Sequence, residues 1–199
     1  MPPGIAGLQR NTSVMPDSLI SVLEAFREQM AGVRAAGDRL AATLAEGGKV
    51  LAAGNGGSAC DALHLCEELT GRYRRERRPL AALCLNADPA ALTCIGNDYG
   101  FEQVFARQVE ALARPGDLLV LFTTSGRSRN LVQAARVARA AGVGTIAASG
   151  RSAGDLADLA DLSILVPAEN SARVQEVHTF VLHSWLERIE EVLFGREES

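Results

Sequence analysis

The chain has 199 residues, is 47% apolar, and carries 20 basic against 24 acidic side chains for a net charge of −4. That length and composition suit one globular domain with a sizeable core, and the acidic balance argues against nucleic-acid or membrane-surface partners. No apolar run approaches the roughly 18 residues that a membrane span needs. No charged-then-apolar leader is visible, so a cytoplasmic location is expected. Cys60, Cys66, Cys84 and Cys94 lack C-x-x-C spacing and sit in apolar company, which reads as reduced core thiols rather than a disulfide or zinc framework.

Residues 1–16, with Pro2, Pro3, Gly4 and Gly7, read as a disordered leader, and 17–195 as a single domain. Asp17 or Ser18 is expected to cap a long helical arm. In it Leu19, Val22, Leu23, Phe26, Met30, Val33 and Ala36 recur at three- and four-residue steps, with a second run from Leu40 to Leu44. Such an arm exceeds what one α/β layer needs and suggests packing on another subunit. Strands are expected at Lys49–Ala53, Leu80–Leu85, Leu118–Phe122, Gly142–Ala148 and Leu162–Val166. Between them lie a helix opened by Asp88-Pro89, a turn-rich break at Gly96–Gly100, an amphipathic helix from Phe101 to Ala113, a helix at Asn130–Ala141 and a short one at Gly154–Ala160. A final helix runs from Ser171 to Phe194. Repeated strand–helix–strand units predict an α/β fold: a doubly wound, five-stranded parallel sheet in a three-layer sandwich, with ligands at the carboxyl ends of the strands.

Two polar loops fall at such ends. After the first strand comes Gly54-Asn55-Gly56-Gly57-Ser58, opening a helix with Ser58 as its expected N-cap. Free N–H groups at a helix start form an anion site, and glycines let a ligand approach the backbone. Alone, a Gly-Gly pair is usually a plain connection; the spacing matches neither a dinucleotide fingerprint nor a P-loop, and no nucleotide cofactor is expected. After the third strand comes Thr123-Thr124-Ser125-Gly126-Arg127-Ser128, with four hydroxyls in six residues. One turn past the first loop, His64 and Glu68 share a helix face. The arginines at 72, 74, 75, 77 and 78 read as a solvated loop, from which one could reach an anionic ligand. Two of the three histidines, His178 and His183, lie on the last helix, His178 among Val174, Val177 and Val181 as an expected core residue. Gln175 and His183 are separated by about 12 Å of rise and 80° of rotation, so they meet at one small ligand only by leaning together or from different subunits.

These motifs resemble the phosphoheptose isomerase branch of the sugar isomerase (SIS) domain family. The resemblance rests on Gly54–Ser58 with Asp61-Ala62-x-His64, Glu68–Arg74, Gly96–Glu102, Thr124-Ser125-Gly126-x-Ser128-x-Asn130, and Arg173–Glu176 with His178 and His183. It implies a flavodoxin-like SIS domain, assembled as a homotetramer with active sites between subunits. The implied reaction takes sedoheptulose 7-phosphate to D-glycero-D-manno-heptose 7-phosphate, the first step of activated heptose biosynthesis. By resemblance Glu68 is the catalytic base and His183 its acid/base partner. His64, Glu68, Gln175 and His183 match the ligands of one zinc ion, while Asn55, Gly56, Ser58, Arg72, Asn97, Asp98, Thr123, Thr124, Ser125, Ser128 and Gln175 match sugar- and phosphate-contacting positions. Gln is an uncommon zinc ligand. The chain departs from the pattern at Arg127, Arg129 and Ser171-Ala172. Two alternatives stand beside this reading: a non-catalytic tetrameric relative resembling the bacterial replication-initiator-associating protein, and an isomerase of another sugar phosphate. Glu68 and His183 together favour the enzyme.

Overall fold

The computed structural model describes residues 16–195. Helix α1 (Pro16–Phe26) begins at the last residue read as leader; the rest of that expectation lies outside the described residues. A 3-10 turn at Arg27–Gln29 breaks the expected long helix, and α2 (Met30–Ala45) follows. Five strands, β1 (Val50–Gly54), β2 (Ala82–Cys84), β3 (Leu118–Phe122), β4 (Gly144–Ser149) and β5 (Leu162–Leu165), form one parallel sheet in the order β2-β1-β3-β4-β5. Val50 pairs with Ala82 on one side and Leu118 on the other, so the winding reverses between β1 and β3.

Alternation along the strands builds two cores. Val50, Ala52, Leu118, Val120, Phe122, Ile146, Ala148 and Ile164 face α2, α3 (Gly57–Thr70) and α7 (Ser171–Phe194). Leu51, Ala53, Leu119, Leu121 and Ala147 face the opposite layer of α4 (Pro89–Tyr99), α5 (Ala106–Leu112) and α6 (Arg129–Ala140). Burial on both faces is why these strands are short continuous apolar runs. The fully buried Trp185 ties α7 to α2 by donating from Nε1 to the Val33 carbonyl at 3.0 Å. Gly37 makes room there: a Cβ would stand 3.1 Å from the Arg188 side chain. The N-terminal arm is therefore largely an internal layer, α2 burying Val33, Ala36, Leu40, Ala41 and Leu44 within its own chain.

Three local expectations are corrected. The Gly96–Gly100 break is absent: α4 runs on to Tyr99 because Asp88 caps it, accepting from the Ala90 and Ala91 amides, and only Gly100 (φ +87°) ends it. The Phe101–Ala113 helix starts as a 3-10 turn and leaves Phe101 exposed. All four cysteines are free, but only Cys66 and Cys84 are buried; Cys60 and Cys94 lie on exposed helix faces.

Candidate active site

The winding reversal opens a crevice at the carboxyl ends of β1 and β3, where open α/β sheets bind ligands. It holds a cavity of about 100 Å³ lined by Asn55, Ser58, Phe122, Thr123, Thr124, Ser128, Ser171 and Gln175. No charged side chain is among them. Three helices start here: α3 carries Ser58 in its first turn, Ser128 is the N-cap residue of α6, and Ser171 opens the 24-residue α7. The dipoles of all three helices favour an anion at this point.

The first loop differs in detail from its expected form. Gly56 (φ +58°), not Ser58, is the N-cap residue of α3, with no side-chain cap. Ser58 lies one step inside the helix with its side chain at the cavity. Gly57 packs against the Gln175 amide, which stands 2.5 Å from where a Cβ would be, so any side chain there would push Gln175 aside. In the second loop the buried Thr123 Oγ1 accepts from the Ser125 and Gly126 amides at 3.3 and 3.2 Å, curling the chain around the cavity. Ser125 is exposed and its Oγ accepts from the Arg127 amide. The residues missed in the sequence are Phe122 and Ser171. Ser171 donates to Thr124 Oγ1 at 3.4 Å, and its signal was the polar start of the last helix beside the cap residue Asn170.

A second cluster lies further along α3 and α7. His64 Nε2 stands 3.5 Å from Glu68 Oε1, and the His64 and His183 rings meet edge to face at 5.0 Å. Tyr73 stacks on His183 at 5.7 Å, and the Arg74 guanidinium covers Tyr73 while pairing with Glu187 at 2.8 Å. Burial and the neighbouring His64 lower the His183 pKa, keeping its imidazole neutral, while Glu68 and Glu187 pull the other way. Glu67 also approaches, its carboxylate within 4.8 Å of the His64 and Glu68 ligand atoms.

The end of α3 is held from below. Arg77, expected in a solvated loop, has its side chain buried and pairs with buried Glu190 at 3.0 Å. Its guanidinium also donates to the carbonyls of Glu68 (2.7 Å) and Leu69 (3.1 Å). Leu80 N–H donates to Leu69 as well, and Gly71 N–H to Glu67, so the carbonyls of Glu67, Glu68 and Leu69 are satisfied and the helix end meets a cation. The catalytic candidate Glu68 thus sits on a fixed helix end.

The structure brings together His64, Glu68 and His183, but not Gln175. Gln175 lies against Gly57 at the cavity, and His183 is eight residues on, about 12 Å along α7. Arg72 is exposed and lies 3.9 Å from Glu76. Asn97 and Asp98 bond each other on the exposed side of α4. None of the three lines the cavity. His178 is a core residue as expected: fully buried, it packs on Phe122, and its Nδ1 faces the buried Asp61 Oδ2 at 4.0 Å, neither atom having a hydrogen-bond partner. Asp61 accepts from Thr179 Oγ1, yet burial raises its pKa to about 6.

His64, Glu68 and His183 are two imidazoles and a carboxylate with exposed edges, a donor set that catalytic zinc sites use with an open fourth position. Among the described residues, the ligand atoms that lie within 4.8 Å of one another are those of His64, Glu67 and Glu68; His183 stands outside that group and Gln175 lies at the cavity.

A doubly wound sheet with an anion cavity at its reversal point and a histidine–carboxylate cluster beside it defines a class: the chain belongs to the SIS domain family, whose sequence model matches residues 16–150. It is 51% identical over 167 residues to the phosphoheptose isomerase of Streptomyces coelicolor, covering 84% of this chain and 72% of the relative. It is 47% identical to that of Campylobacter concisus, covering 78% and 82%. The phosphoheptose isomerase structure from Neisseria gonorrhoeae superposes with a TM-score of 0.83 at 38% identity, covering 88% of this chain and 94% of that one. Within the SIS class, the chain belongs to the phosphoheptose isomerase family and is an enzyme, a sugar-phosphate isomerase.

Proposed function

We propose that the enzyme converts sedoheptulose 7-phosphate into D-glycero-D-manno-heptose 7-phosphate, opening activated heptose biosynthesis in the cytoplasm. The observation that carries this reading is the pairing of an anion cavity built on three helix starts with the Glu68–His64–His183 cluster on two of the same helices. The cavity would take the phosphate. Glu68 would remove a proton from C1 of the ketose and return one to C2, while His183, held neutral, would move the proton between O1 and O2. His64 is placed to steady the carboxylate. Tyr73 shields one face of the His183 ring, which limits water there.

His64 and Glu68, joined by His183 on the facing helix, would hold one zinc ion, which when bound supplies Lewis-acid stabilisation of enediolate oxygens. Ser58 and Glu68 are separated by ten residues, about 15 Å of helix rise, so phosphate and reacting carbons are far apart within one chain. Exposed Leu63 (41%) and Phe180 (42%) lie on the helices that carry His64 and His183. Both facts support a homotetramer with active sites completed between subunits, where Gln175, Arg72, Asn97 or Asp98 of a neighbour could join. Among the described residues no helix is long and apolar enough to cross a membrane.

The test is to incubate purified protein with sedoheptulose 7-phosphate and follow aldose by NMR, with and without chelator. Conversion abolished by chelation and restored by zinc supports both the reaction and the metal. Conversion indifferent to chelator removes the metal and keeps Glu68 and His183. No conversion with zinc present overturns the assignment and favours another sugar phosphate.

A further inference from the structure

The two loops of the cavity belong to different strand–helix units, 75 residues apart at their point of contact, and a single side-chain pair joins them. Asn55 Nδ2 donates to Asn130 Oδ1 at 3.0 Å, and Asn130 Nδ2 donates back to Asn55 Oδ1 at 2.8 Å. Asn130 is 3% exposed and does not line the cavity; Asn55 does. Asn130 Oδ1 also accepts from the Leu131 amide at 3.0 Å, which fixes its rotamer in the first turn of α6, beside the cap residue Ser128. On the other side, the Gly54 peptide is pinned by Asn86, which accepts from its N–H at 3.1 Å and donates to its carbonyl at 2.9 Å. The loop from Asn55 to Ser58 is thus tethered at its start to the turn that follows β2 and at its tip to α6.

We propose that Asn130 is a positioning residue: acting through Asn55, it fixes the first loop against the second and so sets how tightly the cavity holds the phosphate end of the substrate. Residue type decides this. A side-chain amide offers a donor and an acceptor in one plane, so two asparagines form a closed pair, and either partner left alone, above all the buried Asn130, loses both bonds at once. Asn55 keeps one Nδ2 hydrogen outside the pair, and Asn130 aims it. The inference rests on the proposed reading of the cavity as the phosphate site.

The experiment is a double-mutant cycle of Asn55→Ala and Asn130→Ala in the full-length protein, read in two ways. In kinetics with sedoheptulose 7-phosphate, Asn130→Ala should raise KM about tenfold, as expected for loss of roughly one net hydrogen-bond pair, with kcat within about twofold. In the Asn55→Ala background the same change should add nothing to KM. In ligand-free hydrogen exchange, Asn130→Ala should speed the Ser58 and Ala59 amides, whose acceptors are the carbonyls of Asn55 and Gly56. Should Asn130→Ala fold poorly, Asn130→Asp keeps the Leu131 bond, loses the donor to Asn55 and must still raise KM. Unchanged KM, or increases that multiply independently in the double variant, overturns the proposal. If the wild type converts no substrate, the assigned reaction fails, and the exchange of Ser58 and Ala59 alone decides the positioning role: unchanged protection refutes it.

Discussion

At the scale of single residues, Glu68 and the buried Asp61 are two carboxylates on one helix with different surroundings. Glu68, partly open beside His64, is available to exchange protons with a ligand. Glu68→Gln is expected to leave the circular dichroism unchanged and cut kcat by at least about 10²-fold, the low end for a positioned base; steady-state kinetics checks this. Thr124→Ala and Ser171→Ala should instead raise KM with little change in kcat, because phosphate is bound alike in ground and transition states. Asp61 and His178 make a stability prediction. Asp61's folded pKa of about 6 lies above its unfolded 3.8, so its contribution to stability is lost as pH rises through that window. His178, with burial lowering its pKa from 6.5 to about 4, does the reverse, gaining stability as pH rises. The two nearly cancel. Asp61→Asn should unmask the histidine, making urea stability climb between pH 4 and 6.5 by up to about 3 kcal/mol more than in the wild type. Equal pH dependence in the two proteins would contradict this account of the pair.

At the scale of elements, the end of α3 depends on a buried ion pair that its sequence context disguised. Arg77 stands in a run of arginines whose neighbours are largely exposed, and no local pattern separates it from them. What makes it different is tertiary: α7 delivers Glu190 to the same point at which α3 exposes its last carbonyls. Arg77→Met should cost about 3–5 kcal/mol by stranding Glu190, whereas the pair Arg77→Met with Glu190→Leu should recover much of that loss; denaturant midpoints compare them. The same contrast runs through the rest of the chain. Strand β3 and helix α7 were legible to the residue, because a buried apolar run between turn signals and a long periodic helix have few alternatives. The supposed break at Gly96–Gly100 was not, because Asp88 capping and Gly100 termination outweighed the local turn composition. Likewise Ser58 has the chemistry of an N-cap, but Gly56 alone can adopt the positive φ that starts α3.

At the scale of the molecule, sequence showed that the two loops meet at one end of the sheet, since parallel connectivity forces both to the carboxyl edge. It could not show that three helix starts converge there, or that Ser171 supplies the third; that follows from how α7 crosses the reversal point. Nor could spacing decide whether Gln175 joins His183. The structure separates them along α7, and in the proposed assembly a neighbouring subunit would supply the remaining site residues. Exposed Leu63 and Phe180, on the helices that carry His64 and His183, are the surface such an assembly would cover. Phe180→Glu should therefore lower the mass seen by light scattering and reduce turnover together; a fully active monomer would refute a shared site.

The central claim, that Glu68 drives an aldose–ketose isomerisation of a sugar phosphate, is tested most directly by one NMR experiment in D2O. Sedoheptulose 7-phosphate is incubated with wild type and with Glu68→Gln, and the product is read for deuterium at C2. The account predicts aldose carrying solvent deuterium at C2 with the wild type and almost none formed by the variant. Equal product from both proteins, or none from a correctly folded, zinc-supplied wild type, would contradict it.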